Sequence, residues 1–293
     1  MAMAMAWPVH ASEDAHVLVL GRISDDPHSH YSQLKPLLDY VVPRMRDVGI
    51  TEGRILMARD AQQMASYLRR DRVDWVTETA STAVQLQQRA AARPILLTER
   101  NGVRHYHTVF FARKDGPVNS LEDLRGHTLA LQSTASTSAY MVPMTELLDA
   151  HLAPEILLAP SDVPSPDRVG YVLARSELNI ASWVHKRMVD AGAVSILDWN
   201  DPRRFPGAFK ADFRIIHESY PYPRALELVR EGMEPRIEAR LREVLLQASD
   251  DPAAKDALER FFQTSRFLPL DAESQRALDS LRTGVQRVRS EVE

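Results

Sequence analysis

The chain has 293 residues, 44% hydrophobic and 26% charged, with a formal net charge of −4 and no cysteine. These are the proportions of a globular protein long enough for one large or two ordinary domains, and no apolar run approaches the about 20 residues that a bilayer span needs. The slight negative charge, with arginines scattered along the chain, gives no general attraction to nucleic acid, and the missing cysteines remove disulfides, thiol nucleophiles and thiolate metal sites.

The start, Met1 to Ser12, lacks the basic and long apolar regions of a signal peptide, although Val9-His10-Ala11 resembles a small-x-small cleavage site. Residues 1–14 are expected to be a disordered leader. Val17 to Gly21 reads as a buried strand, followed by a turn rich in Ser, Asp and Pro. Apolar residues from Tyr31 to Val48 recur at helical spacing, with Pro36 and Pro43 in a first turn or at a kink, and Gly49 stops the helix. Arg54 to Ala58 is a second strand, Ala61 to Arg70 a helix, Val73 to Val76 a third strand ending in Thr77-Glu78-Thr79, and Ser81 to Ala92 the next helix.

Strands alternating with helices in this rhythm imply parallel pairing through right-handed crossovers. Ligands in such sheets bind beyond the carboxyl ends of the strands. Arg22 to Ser24, Thr77 to Thr79 and Ser133 to Ser138 are therefore expected to face one crevice.

Pro94 to Thr98 and Tyr106 to Arg113 read as further strands, the second suited to a passage between lobes. Beyond it, Leu129 to Leu131, Ile156 to Leu158 and Leu178 to Ala181 are expected as strands, with helices near Tyr140 to Ala150, Arg168 to Arg175 and Trp183 to Ala191. Asp198 to Lys210 reads as loop, and Phe213 to His217 as the strand that returns to the first lobe. From Pro235 to Glu293 the pattern is amphipathic helix, broken at Pro252 and Pro269, expected to pack on the first lobe.

No motif for catalysis is present: no G-x-S-x-G, no P-loop and no H-E-x-x-H. His105 and His107 share a strand face, but no third metal ligand accompanies them. No enzyme, cofactor or metal is expected. The stretch Gln132 to Pro143 holds Ser136-Thr137-Ser138 where a strand hands over to a helix. Hydroxyls and the exposed N–H groups of a first helical turn make a ready anion site.

The order of elements around it, Gly102-Val103-Arg104-His105-Tyr106, then Arg113-Lys114-Asp115, Ser120-Leu121-Glu122-Asp123-Leu124-Arg125-Gly126 and Ser136-Thr137-Ser138-Ala139-Tyr140, resembles the phosphate, phosphite and phosphonate-binding proteins of ABC transporters. These are type 2 periplasmic solute-binding proteins. The resemblance runs from about Val17 to about Leu270. It implies an α/β fold of two lobes joined by two crossover strands, with residues 15–113 and 214–293 in lobe 1 and 114–213 in lobe 2. It also implies a monomer in the periplasm that holds a small anionic ligand and serves an ABC permease or, alternatively, a sensor histidine kinase; an enzyme on the same fold is the third and weakest alternative.

Carried over by resemblance, Ser136, Thr137 and Ser138 hold the oxyanion, Tyr106 is the aromatic of the G-x-x-x-Y strand, and Tyr31 lies near a first-loop aromatic. Thr77, Glu78, Thr79 and Arg22 complete the expected ligand contacts from the strand ends. Glu78 stands out because a carboxylate accepts a hydrogen bond from a protonated oxyanion, or pairs with an ammonium, yet repels a dianion. The chain departs from the family where members carry a His in a G-S-H-D run; here it reads Pro164-Ser165-Pro166-Asp167-Arg168, and a following family Asp is replaced by Asn179.

Overall fold

The apolar runs become strands in two separate sheets in the computed structural model, which describes residues 16–292; the expected leader lies outside them. In chain order the strands are β1 (Val17–Ile23), β2 (Glu52–Ala58), β3 (Trp75–Glu78), β4 (Arg93–Arg100), β5 (His105–Tyr106), β6 (Thr108–Arg113), β7 (Thr128–Leu131), β8 (Ala153–Ile156), β9 (Arg168–Leu173), β10 (Ala191–Ser195), β11 (Phe213–Glu218), β12 (Tyr222–Pro223), β13 (Leu226–Val229) and β14 (Thr264–Leu268). The first sheet runs β14-β4-β13-β3-β1-β2 and the second β11-β6-β10-β7-β9-β8. β1 lies parallel to β2 and β3, whereas β13 inserts antiparallel between β3 and β4. The two chain crossings pair with each other: Tyr222 opposes Tyr106 and Pro223 opposes His105 across β12 and β5.

Local chemistry fixes the element ends. The first helix, Pro27–Val41, is capped by Asp26, whose carboxylate accepts the Ser29 N–H at 3.2 Å, and a tighter turn with Pro43 near its start carries it to Gly49. Gly49 has φ 91°, a left-handed stop that suits glycine. In the second lobe Phe111, Trp199, Phe205 and Phe213 pack ring on ring, Phe111 to Phe213 at 5.0 Å and Phe111 to Phe205 at 5.1 Å. That cluster pins the 196–206 segment beneath the cleft.

Several expectations are corrected. The helix expected over Arg168 to Arg175 is replaced by β9, Arg168–Leu173, because Val169 to Val172 are all buried inside the sheet. Leu178 to Ala181 lies in the helix Glu177–His185, capped by Ser176, whose hydroxyl accepts the Asn179 N–H at 3.2 Å. The helix expected over Trp183 to Ala191 stops at His185, and Ala191 opens β10. β6 and β11 both belong to the second sheet, so the chain changes sheets before Thr108 and after Glu218, not at Lys114 and Phe213. The C-terminal region contains the edge strand β14, and its last helix, Ala272–Glu291, packs on both lobes: against the helix Ala80–Ala90 of the first and Val142–Asp149 of the second. Arg287 donates to Asp149 at 2.5 Å and to the Leu148 carbonyl at 3.2 Å across that second contact.

Candidate ligand cleft

β7 ends at Leu131, and the next residues lead into one widened turn, Thr137–Met141, ahead of the helix Val142–Asp149. Ser136 caps this turn, its hydroxyl accepting the Ala139 N–H at 3.1 Å. Facing it from the first lobe are Thr79, at the start of the helix Ala80–Ala90, and Tyr106 from the crossing strand. Thr79, Tyr106, Ser136, Thr137 and Ser138 line one cavity of 220 Å³ between the lobes. Five of the nine residues expected at the site meet there. Tyr106 is buried, which raises its hydroxyl pKa, and a hydrogen bond with the Ser138 side chain opposes that rise.

The other four stand elsewhere. Thr77 is fully buried and donates to Glu227 at 2.9 Å. Glu78 is paired with Arg22 at 3.1 Å and accepts the Ile23 N–H at 2.9 Å, so its carboxylate holds the end of β1. Arg22 also donates to the Thr77 carbonyl at 2.7 Å. Tyr31 is 48% exposed and lies off the cavity.

Sequence reasoning missed the charged half of the cleft. Arg224, just after β12, also lines the cavity, and its guanidinium lies 5.0 Å from the centroid of the Tyr106 ring. Among the described residues it has no carboxylate partner. On the second-lobe wall, Ser195 donates to Asp198 at 2.6 Å, and Arg204 binds Asp198 and reaches Glu177 at 3.3 Å. Burial first, then the neighbouring Asp198, raises the Glu177 carboxyl above its usual range. These residues come from short segments far apart in the chain, and no spacing in the sequence joins them.

A larger chamber of 570 Å³ adjoins the cavity, sharing Leu197, Asp198, Arg204 and Arg224 with it and adding Arg100, Arg203, Arg260, Asp201, Glu259 and Phe262. Arg100 is 6% exposed; it donates to the Thr77 hydroxyl at 3.3 Å, its Nε has no partner among the described residues, and it lies 4.5 Å from the Phe262 ring centroid. Burial, then the nearby Arg22 and Arg224, push its pKa down to about 9. Beneath it, Glu227 accepts Trp75 Nε1–H at 2.6 Å and the hydroxyls of Thr77 and Thr98 at 2.9 and 2.6 Å. Arg100 and Arg224 therefore stand on the first-lobe wall with no carboxylate bonded directly to either among the described residues, Glu227 and Glu78 lying only near Arg100. Burying an uncompensated charge is costly, and an anion in the cleft relieves it.

His105 and His107 do not form a metal site. His105 Nε2 lies 2.8 Å from the Ser274 hydroxyl, and His107 Nε2 lies 3.0 Å from Glu218. No group of three or more metal-ligating side chains is present among the described residues. Asn179, where the family pattern has Asp, donates to the Ala174 carbonyl at 2.8 Å and does not line the cavity.

Two lobes joined by paired crossings make the fold of type 2 periplasmic binding proteins; PhnD1 of Prochlorococcus marinus, solved in complex with methylphosphonate, shares it with a TM-score of 0.65 at 16% identity over 93% of this chain and 99% of that one. Residues 21–274 match the family model for the ABC transporter, phosphonate, periplasmic substrate-binding protein, and the chain belongs to that family. XAC2383 of Xanthomonas citri, solved bound to chloride ion, has 58% identity and a TM-score of 0.89 over 95% of this chain and 100% of that one; a second structure of it, bound to ATP, aligns at 57% identity with the same coverage and TM-score. The family is one of binding proteins that work with ABC permeases.

Proposed function

We propose that this protein is the periplasmic solute-binding component of an ABC importer and that it captures a phosphoryl- or phosphonyl-bearing compound between its lobes. The observation that carries this reading is Arg224, a cation without a carboxylate partner among the described residues, in the same 220 Å³ cavity as the hydroxyls of Ser136 and Ser138. An oxyanion in that cavity meets a guanidinium and neutral donors together, and hydrogen bonds to a charged group contribute about 1.5–3 kcal/mol each. Tyr106 and Thr79 close the cavity from the first lobe. Thr77, Glu78 and Arg22 act from behind, holding the strand ends and Arg100 rather than touching the ligand.

The adjoining chamber of 570 Å³ falls in the range of organic ligand sites, about 300–1,000 Å³. The ligand therefore carries a substituent that extends from the anion cavity towards Phe262 and Arg100. A relative with 57% identity was solved with ATP, which brings nucleotides into the ligand class to be tested alongside phosphonates. Calorimetric titration with inorganic phosphate, methylphosphonate and ATP tests the reading. At least one is expected to bind, with a substituted compound tighter than inorganic phosphate; at a hundred times its dissociation constant a ligand adds about 2.7 kcal/mol of stability. No heat and no thermal shift with any of the three would overturn the reading.

A further inference from the structure

We infer that Thr137 is a positioning residue that latches the two lobes together, leaving its neighbours Ser136 and Ser138 to touch the ligand. The inference rests on reading the cleft as the ligand site, and it reassigns the middle residue of the hydroxyl run.

A hydroxyl has one donor and two acceptor positions. Thr137 Oγ1 donates to Thr79 Oγ1 at 3.1 Å, accepts the Ser81 N–H at 3.2 Å, and lies 2.6 Å from Ser81 Oγ. With the first proton given to Thr79, the Ser81 hydroxyl is the donor in the third contact, and all three positions are filled. Every partner belongs to the first lobe. Thr137 is 3% exposed and Ser81 1% exposed, so neither hydroxyl is offered to a molecule in the cavity.

The first-lobe partner has a reason to accept this contact. The helix Ala80–Ala90 starts at Thr79, whose own side chain caps none of its N–H groups, and the first N–H groups of a helix have no partner within it. Thr137 supplies the missing acceptor from the opposite lobe. Closing the cleft thus completes a helix cap, and opening it leaves that cap to water. The contact favours the closed arrangement before any ligand arrives, and it slows escape once one is bound.

The chain has no cysteine, so Asp39→Cys in the first lobe and Lys186→Cys in the second, both exposed positions, take spin labels without background. Interlobe distances are measured without ligand in the otherwise native chain and with Thr137→Val or Thr137→Ser. The closed distance is expected to dominate in the native chain and with Ser, and to give way to a longer one with Val. Stopped-flow release of methylphosphonate is expected to be about tenfold faster with Val. An open native chain without ligand, or a Val variant with the native distance distribution, overturns the latch. Lost affinity at unchanged ligand-free distances makes Thr137 a ligand contact instead. If methylphosphonate fails to bind the native protein, the functional reading suffers, but the ligand-free distances still decide the latch.

Discussion

Gly284, in the middle of the C-terminal helix, seats that helix against Thr145 of the second lobe. A Cβ at this position falls 2.5 Å from both Cγ2 and Oγ1 of Thr145 and 3.1 Å from its Cβ, distances at which one helix must back away. Overpacking of this kind costs about 1–3 kcal/mol, while Ala in place of Gly inside a helix returns about 1 kcal/mol, so Gly284→Ala is expected to destabilise by about 0–2 kcal/mol. Thr145→Ala removes both atoms at 2.5 Å, and on that background Gly284→Ala is expected to stabilise by about 1 kcal/mol. Denaturant unfolding of the four proteins gives the coupling directly, expected at about 1–3 kcal/mol. Gly284→Ala having the same effect on both backgrounds would refute the close seating of this helix on the second lobe.

Glu227→Ala leaves three buried donors, on Trp75, Thr77 and Thr98, without their acceptor. At about 1–3 kcal/mol each the loss is comparable with a whole folding free energy of about 5–15 kcal/mol, so little folded protein is expected; a melting temperature within a few degrees of the native chain would contradict this. His105 is neutral to lower pH than an ordinary histidine, because burial and then Arg104 push its pKa below 6.5. Its folded value is depressed, so its contribution to stability is present above 6.5 and is lost as the pH falls through the lowered value. His105→Gln is expected to flatten the decline of melting temperature on acidification below 6.5, and an unchanged slope would contradict it.

The first lobe was legible because its strands are short apolar runs separated by helices with clear 3.6-residue spacing, as in Val17 to Leu20 and Leu34 to Met45. Residues 168–195 were not. Val169 to Val172 form a continuous apolar run, which periodicity cannot assign to strand or helix, and the helix Glu177–His185 is announced chiefly by its cap at Ser176. β14 was hidden by the helical patterns on either side of it. At the site, the hydroxyl run was visible because it is contiguous, as was the strand-end rule that placed Thr79. Arg100, Glu177, Ser195, Asp198, Arg204 and Arg224 carry the charge of the cleft, yet each is an ordinary polar residue in its own segment, and only the crossings at β5 and β12 bring them together. Glu78 drew attention as a carboxylate at a strand end, and the structure spends it on Arg22.

The most direct test is calorimetric titration of the native chain and Arg224→Met with whichever of phosphate, methylphosphonate or ATP binds the native chain best. Loss of one charge-assisted contact is expected to weaken binding by about ten- to a hundredfold or more. The ligand-free melting temperature is expected to stay the same or rise, because Arg224 has no carboxylate partner to lose among the described residues and repels the neighbouring Arg100. Native affinity in the Arg224→Met protein would contradict the account.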